Sequence, residues 1–312
     1  MLFFKLHNVI PILHIKHLNF IRTFTMNTSL FRLLPLAPLV TALFFSGLSA
    51  AQADTLEDNL AAMEGQSPIN ITTNNTTYDP NLSPMLFTLN SNTELKVINN
   101  GSPGETKTAV RANLVDPGAG SVTVNGDTYR LQQFHFHSPA ENLENGFKFP
   151  MEMHLVFADA KNDLLVVGRW VEVGADNKAL DPIFSNIPQT TTDTLTVDHF
   201  NLNALIPDNL GSFRYNGSLT TPPFSENVKW IDLATPMDMS AAQINAFSSM
   251  FPNGDARAIQ PLDGRTILTD VPGFATAVPE PETYAMLLAG LCLIAFTARR
   301  RLANSGFMSS IA

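Results

Sequence analysis

Alternation of apolar and polar positions dominates the middle of this 312-residue chain and predicts a structure built mainly from β-strands. The pattern is clear in segments 128–137, 151–157 and 164–173. The first segment follows Asn125-Gly126, a dipeptide typical of a two-residue hairpin turn. The third is a nearly continuous apolar run, which indicates a central strand buried on both faces.

Helical patterns are few. Ser240 and Gln243 have the spacing of a capping box ahead of apolar positions, which predicts a helix that starts at Ser240. A further strand is predicted at 228–233, and no internal repeat or low-complexity linker divides the middle of the chain. The sequence therefore predicts one domain of the mainly β (α+β) class. We expect a large, mostly antiparallel central sheet with a few short peripheral helices.

The first 53 residues have the pattern of a secretory signal peptide. Basic residues precede an apolar run from Leu33 to Leu48, and Ala51-Gln-Ala53 has the small-x-small pattern that signal peptidase cuts. Met26 is the expected true start, and the mature protein is expected to begin at Asp54. An N-terminal membrane anchor is the alternative.

The last residues, 279–312, form a second separate segment. Here Pro-Glu-Pro is followed by an apolar run from Tyr284 to Ala298 and then by Arg299-Arg300-Arg301. The run is short for a transmembrane helix, which needs about 20 residues, and the arginines favour a cytoplasmic end. This order resembles the PEP-CTERM sorting signal of Gram-negative bacteria. The resemblance implies a transient membrane segment and processing by an exosortase, whereas a plain C-terminal membrane anchor is the alternative.

Both interpretations place the remaining domain, 54–278, outside the cytoplasm: in the periplasm, on the outer surface or in the medium. The full chain has 19 basic and 28 acidic residues, for a net charge of −9. The domain alone has 12 basic and 26 acidic residues, so its net charge is −14. This acidity argues against nucleic acid as a partner. The single cysteine, Cys292, lies in the tail, which excludes a disulfide framework.

Three of the four histidines in the domain have the spacing of a metal site. His135 and His137 are two residues apart on a predicted strand and therefore share a face, while His154 lies on the next strand. Three imidazoles and a water are a ligand set of catalytic zinc, and neutral ligands let the metal lower the pKa of that water to about 7. Gln133 and Glu152 lie on the correct face to accept the remaining ring N–H of two ligands.

A cupin metal site is the main alternative. The segment His135-Phe-His137-Ser-Pro-Ala-Glu141 has the His-x-His and Glu spacing of a cupin core. However, Tyr129 occupies the position where a cupin has glycine, and the downstream Pro-x-Gly-x-x-His element is missing. The sequence therefore disfavours a cupin.

Five segments resemble the successive signatures of the α-class carbonic anhydrases, in the order of that family and over nearly all of 54–270. They are Gln66-Ser-Pro-Ile-Asn-Ile71, Gln133-Phe-His-Phe-His137, Glu152-Met-His154-Leu-Val, Tyr215-Asn-Gly-Ser-Leu-Thr-Thr-Pro-Pro223 and Gln260-Pro-Leu-Asp-Gly-Arg265. The resemblance implies a Zn²⁺ enzyme that reversibly hydrates carbon dioxide to bicarbonate and a proton. It assigns His135, His137 and His154 as the zinc ligands.

The same resemblance implies roles for further residues. Thr220 corresponds to the threonine whose hydroxyl accepts a hydrogen bond from the zinc-bound hydroxide and donates one to Glu141, which orients the nucleophile. The Thr220 amide would receive the substrate oxygen as negative charge develops. The implied substrate pocket has five members: Val156, Val166, Leu219, Thr221 and Trp230. For the four apolar members, ordinary core packing is an equally good interpretation.

One departure from the family concerns proton transfer. Ser102 stands where fast members usually have the histidine that carries the proton to buffer, and the only other free histidine of the domain, His199, is expected in a structural loop. We therefore expect a slower enzyme that imidazole buffers accelerate. Two other functions stay open: a non-catalytic extracellular binding module on the same scaffold, and hydrolysis of esters at the same zinc.

Overall fold

A twelve-stranded sheet is the frame of the protein in a computed structural model, which describes residues 64–100, 110–275, 286–295 and 297. The strands in chain order are β1 (Asn70–Ile71), β2 (Thr76–Tyr78), β3 (Leu86–Leu89), β4 (Thr93–Asn99), β5 (Val110–Leu114), β6 (Gly120–Val124), β7 (Asp127–His137), β8 (Leu143–Glu144), β9 (Met151–Ala158), β10 (Leu164–Val173), β11 (Thr194–Phe200), β12 (Ser212–Ser218), β13 (Glu226–Met239) and β14 (Ile267–Thr269). This confirms the predicted class.

The main path through the sheet runs β11-β4-β5-β7-β9-β10-β13-β12-β14-β2, while β6 pairs with β7 and β3. Most neighbours are antiparallel, but β10 pairs with β13 in parallel, and so does β14 with β2. Strands β1 and β8 form a separate two-stranded sheet. The strands β7, β9, β10 and β13 are thus consecutive neighbours at the centre of the large sheet.

Short helices flank the sheet. They are α1 (Asp181–Phe184), a 3₁₀ turn (Leu202–Leu205) and α2 (Ala241–Ser248). The predicted capping box is confirmed, because the Ser240 side chain accepts from the Gln243 amide and the Gln243 side chain accepts from the Ser240 amide. This reciprocal pairing satisfies two donors that would otherwise lack partners at the start of α2.

The hairpin prediction is also confirmed. Strands β6 and β7 pair antiparallel around Asn125 and Gly126, whose φ angles of 53° and 82° are those of a type I′ turn. The expectation for His199 is wrong, because this residue lies within β11 and not in a loop. It has a φ of 59° where the pairing with β4 shifts register, and its ring bonds to Asn92.

Two apolar clusters cover opposite faces of the central strands. One contains Phe134, Leu155 and Val167, whereas the other contains Val166 and Trp230. Strand side chains alternate between faces, so the histidines of β7 and β9 lie on the face of the second cluster. The site end of β7 is buried on both faces, which excludes bulk water from the strand around the histidines.

The C-terminal tail is described only in part. Residues 286–295 are helical, and their large apolar side chains are exposed. The sequence leads us to expect a transmembrane segment here. That expectation is not supported, because within the described ranges no helix has the length and hydropathy needed to cross a membrane. The expected signal peptide and Ser102 lie outside the described residues.

Candidate metal centre

Three buried histidines converge where β7 and β9 pair. His135 lies directly opposite His154 in the antiparallel ladder, and His137 is two residues further along the same face of β7. Each ring can offer one nitrogen to a common centre, and those three atoms all lie within 4.8 Å of one another. The spacing in the sequence puts His135 and His137 on one face of β7, and the register of β7 with β9 brings His154 next to them.

His135 has neutral and cationic neighbours. Its Nδ1 lies 2.8 Å from Gln133 Oε1, which leaves Nε2 for the centre. Burial holds the pKa of His135 well below its usual value, and the positive charges of His137, His154 and Arg111 act in the same direction. The ring is therefore neutral, as a metal ligand must be.

His137 has no hydrogen-bond partner at either ring nitrogen among the described residues, although both nitrogens are buried. Its Nε2 lies 3.4 Å from Glu141 Oε2, and its Nδ1 lies 3.7 Å from Asp255 Oδ2. Burial lowers the pKa of His137 to about 4 despite the opposing effect of Asp255. A buried nitrogen without a partner is costly, and a metal ion would provide that partner.

His154 has acidic neighbours instead. Its Nε2 lies 3.2 Å from Glu152 Oε1. Glu152 also accepts hydrogen bonds from the backbone amides of Glu141 at 2.7 Å and Asn142 at 2.8 Å, and from the Asn142 side chain at 3.1 Å. Although burial opposes both shifts, Glu152 raises the pKa of His154 and His154 lowers that of Glu152. The carboxylate therefore stays ionised and fixes the ring.

Glu141 and Thr220 form a second polar pair at the centre. The Glu141 carboxylate accepts a hydrogen bond from the Arg257 backbone amide at 2.8 Å. Burial raises the pKa of Glu141 to about 7, although His154, the Arg257 amide and the nearby Thr220 side chain favour its ionised form. A hydroxyl that donates to such a carboxylate keeps its own oxygen free to accept a hydrogen bond from a third group.

Three of the five residues expected to line a substrate pocket lie on strands next to His154. Val156 is two residues after His154 on β9, and it pairs with Val166 on β10, which pairs with Trp230 on β13. Trp230 is buried and its ring centroid is 4.9 Å from that of His154. Leu219 packs partly buried against the same cluster, and Thr221 is partly buried next to Thr220. The wall next to the centre is therefore largely apolar.

Several residues near the centre escape the sequence analysis: Arg111, Asn142, Asp232, Asp255 and Arg257. Asp232 is fully buried, and neither carboxylate oxygen has a hydrogen-bond partner in the described part of the chain. Asp232 is two residues after Trp230 on a predicted strand, so both side chains are expected on the same face. The sequence pattern could therefore have placed this acid at an inward position. The other four come from segments without any periodic pattern that points to the histidines.

The three histidines fit a zinc ion. Three buried ring nitrogens that can share one centre, with carboxyl groups near the outer ring nitrogens of His137 and His154, match the ligand environment of zinc. Neither buried nitrogen of His137 has a hydrogen-bond partner in the described part of the protein, which is consistent with ligation at one of them.

Comparison with known proteins gives two family matches. A family model described as eukaryotic-type carbonic anhydrase matches residues 56–271, and one described as the PEP-CTERM protein-sorting motif matches residues 277–301. A carbonic anhydrase of Klebsiella pneumoniae is 39% identical over 204 residues, which cover 65% of this chain and 79% of that protein. A carbonic anhydrase of Neisseria gonorrhoeae is 34% identical over 205 residues, or 66% of this chain and 77% of that protein.

Solved structures give the same result. The α-carbonic anhydrase of Thermovibrio ammonificans in complex with sulfanilamide has 33% identity and a TM-score of 0.59, covering 65% of this chain and 86% of that one. The α-carbonic anhydrase of Photobacterium profundum has the same identity and TM-score, covering 69% of this chain and 95% of that one.

Proposed function

This chain belongs to the eukaryotic-type (α) carbonic anhydrase family, and from that premise we propose that His135, His137 and His154 bind zinc to hydrate carbon dioxide reversibly. The observation that supports zinc most directly is the convergence of three buried ring nitrogens, one of them from His137, which has no hydrogen-bond partner among the residues that the structure describes. When bound, zinc would supply a Lewis acid that lowers the pKa of a coordinated water to about 7.

Thr220 and Glu141 are proposed to orient the nucleophile. In this proposal the Thr220 hydroxyl donates a hydrogen bond to the nearby Glu141 carboxylate, which leaves the Thr220 oxygen as an acceptor next to the centre. An acceptor at this point fixes the direction in which a bound water or hydroxide presents its lone pair, and orientation of this kind lowers the barrier without tighter substrate binding. Thr220 would donate its backbone amide to the oxygen on which charge develops.

The apolar wall is proposed to hold carbon dioxide. Val156, Val166, Leu219 and Trp230 offer an uncharged surface beside His154. A nonpolar substrate loses little hydration on entering such a wall, whereas an anionic product loses much more. The wall therefore favours entry of carbon dioxide and departure of bicarbonate.

Proton release is proposed to limit turnover, because Ser102 replaces the histidine that usually carries the proton to buffer. Imidazole buffers should then raise the steady-state rate of carbon dioxide hydration markedly, and Ser102→His should reduce that dependence. High turnover of the wild type with no response to imidazole would contradict this part of the proposal.

The two ends of the chain are proposed to direct export. Cleavage after Ala53 would release a domain beginning at Asp54, and the PEP-CTERM motif, which itself indicates export and surface sorting, would be processed by an exosortase near residue 278. Mass spectrometry of the protein recovered from cell envelope and medium would give both new termini.

Metal analysis combined with stopped-flow carbon dioxide hydration tests the main proposal. We expect about one zinc per chain and hydration that depends on it. A purified protein that holds no zinc, or that is no faster than His154→Ala, would instead favour a non-catalytic binding module on this scaffold.

A further inference from the structure

Arg111 lies directly across the sheet from the ligand His135. The two residues are Cα partners in the antiparallel pairing of β5 with β7. Directly opposite residues project from the same face with Cβ atoms about 5 Å apart, so Arg111 extends from the face that holds the triad. Its proximity is evident electrostatically, since Arg111 is one of the charges that lower the pKa of His135.

Within the described residues, the half-buried Arg111 lacks the partners that the buried Arg169 and Arg265 have. Arg169 donates to three backbone carbonyls and Arg265 to four. Among the described residues, no carboxylate pairs with Arg111 and no acceptor bonds its Nε, although that nitrogen is buried. A buried donor without a partner destabilises the folded state, so its retention beside the triad requires a reason.

A guanidinium is suited to planar oxyanions. Its N–H groups form a rigid fork that matches two oxygens of a carboxylate-like group, and its charge persists at every physiological pH. Bicarbonate has this planar shape, whereas carbon dioxide is neutral and linear. The domain around Arg111 has a net charge of −14, which disfavours anions elsewhere on its surface.

We propose that Arg111 forms an anion subsite at the edge of the His triad, which binds bicarbonate and other planar monovalent oxyanions. This inference rests on the proposed function for the identity of its natural ligand, bicarbonate. The subsite retains the anion beside the centre without attracting carbon dioxide. Arg111 thereby controls product inhibition and inhibition by external anions, while the affinity for carbon dioxide stays independent of it.

Nitrate titration of the metal-loaded protein tests the subsite, with the thermal unfolding midpoint as the readout. Nitrate should raise the midpoint of the wild type, and Arg111→Gln should weaken nitrate binding about tenfold, as expected for loss of a charged hydrogen bond. Arg111→Lys keeps the positive charge but loses the forked arrangement of N–H donors. Its affinity for nitrate should therefore lie between those of the wild type and Arg111→Gln. Arg130→Gln removes an exposed positive charge from β7, the strand that carries His135, and is the matched control that should bind nitrate as the wild type does.

Kinetics supply the second readout. Inhibition of carbon dioxide hydration by nitrate and by added bicarbonate should weaken about tenfold in Arg111→Gln, with the KM for carbon dioxide unchanged. Nitrate binding that is undetectable in the wild type, unchanged in Arg111→Gln, or weakened equally in Arg130→Gln would overturn the proposal. The thermal readout needs no catalysis, so failure of the proposed function and failure of this subsite are distinguished.

Discussion

The two histidines that face each other across β7 and β9 have opposite electrostatic surroundings. His154 is bordered by Glu152, Glu141 and Asp232, which raise its pKa against the effect of burial. His135 is bordered by the neutral amide of Gln133 and by the cation Arg111; burial holds its pKa well below the usual value, and the charge of Arg111 acts in the same direction. We call these the acidic side and the basic side of the centre.

This difference in surroundings would let the histidines influence two properties of a bound metal, its affinity and the acidity of its water. A carboxylate behind a ligating imidazole increases the basicity of the ring and strengthens its bond to metal. An amide behind the ring fixes its orientation without adding negative charge, so more positive charge stays on the metal to acidify its water. The acidic side is therefore expected to govern metal retention, whereas the basic side governs what binds next to the metal.

The largest expected effect comes from removal of the ligand on the acidic side. His154→Ala should reduce bound zinc from about one per chain to almost none and abolish carbon dioxide hydration, because two imidazoles cannot complete a tetrahedral site. Metal analysis and stopped-flow hydration measure both quantities. His199→Ala is the control, since this exposed histidine on β11 bonds to Asn92, away from the triad, and its loss should leave both properties unchanged. Full zinc occupancy in His154→Ala would contradict the assignment.

A pH series on the metal-free protein tests the charge of the acidic side. Burial raises the pKa of Glu141 to about 7, so between pH 4.5 and 7 the folded state keeps a proton that the unfolded chain has lost. As the pH rises through this window, the free energy of unfolding of the wild type should therefore fall by about 3 kcal/mol relative to that of Glu141→Gln. His137, with its pKa lowered to about 4, has the opposite slope and is present in both proteins, so the comparison of the two reports mainly on Glu141. Urea denaturation at each pH measures it, and a flat difference would refute the shift.

The packing of the acidic side can be tested through Gly168. This residue pairs with both His154 and Asp232, and a Cβ added to it would overlap Asp232 Oδ1 and lie 3.2 Å from Glu152 Oε1. Gly168→Ala should lower the free energy of unfolding by about 2–3 kcal/mol, as overpacking does. In an Asp232→Ser background the same change should cost less than about 1 kcal/mol. Equal costs in the two backgrounds would show that Asp232 is not the obstacle.

The two sides can also be compared through the side chains that contact the outer ring nitrogens, Glu152 at His154 and Gln133 at His135. Glu152→Gln should weaken zinc binding more than Gln133→Ala does, by about tenfold, because only the first change removes a carboxylate that acts on a ligand. Competition with a chelator measures both affinities at one pH. Equal losses of zinc affinity in the two variants would mean that Glu152 and Gln133 contribute equally to metal binding.

Local patterns were sufficient for several elements of the fold and for the triad. Asn125-Gly126 predicts its hairpin because a type I′ turn needs two residues that tolerate positive φ. Ser240 and Gln243 predict the start of α2 because the capping box spans only one turn. Same-face spacing selects His135 and His137, and it also aligns Gln133 and Glu152 with the ligands beside them.

The contacts that distinguish the acidic side from the basic side depend on tertiary structure. Arg111 meets His135 only through the register of β5 with β7, and Asp232 approaches Glu152 only because β10 presents a glycine between β9 and β13. Which face a side chain occupies is a property of a few neighbouring residues, so the sequence alone determined it. Which strands become neighbours, and in which register, depends on burial of the whole sheet, and only the tertiary structure decided it.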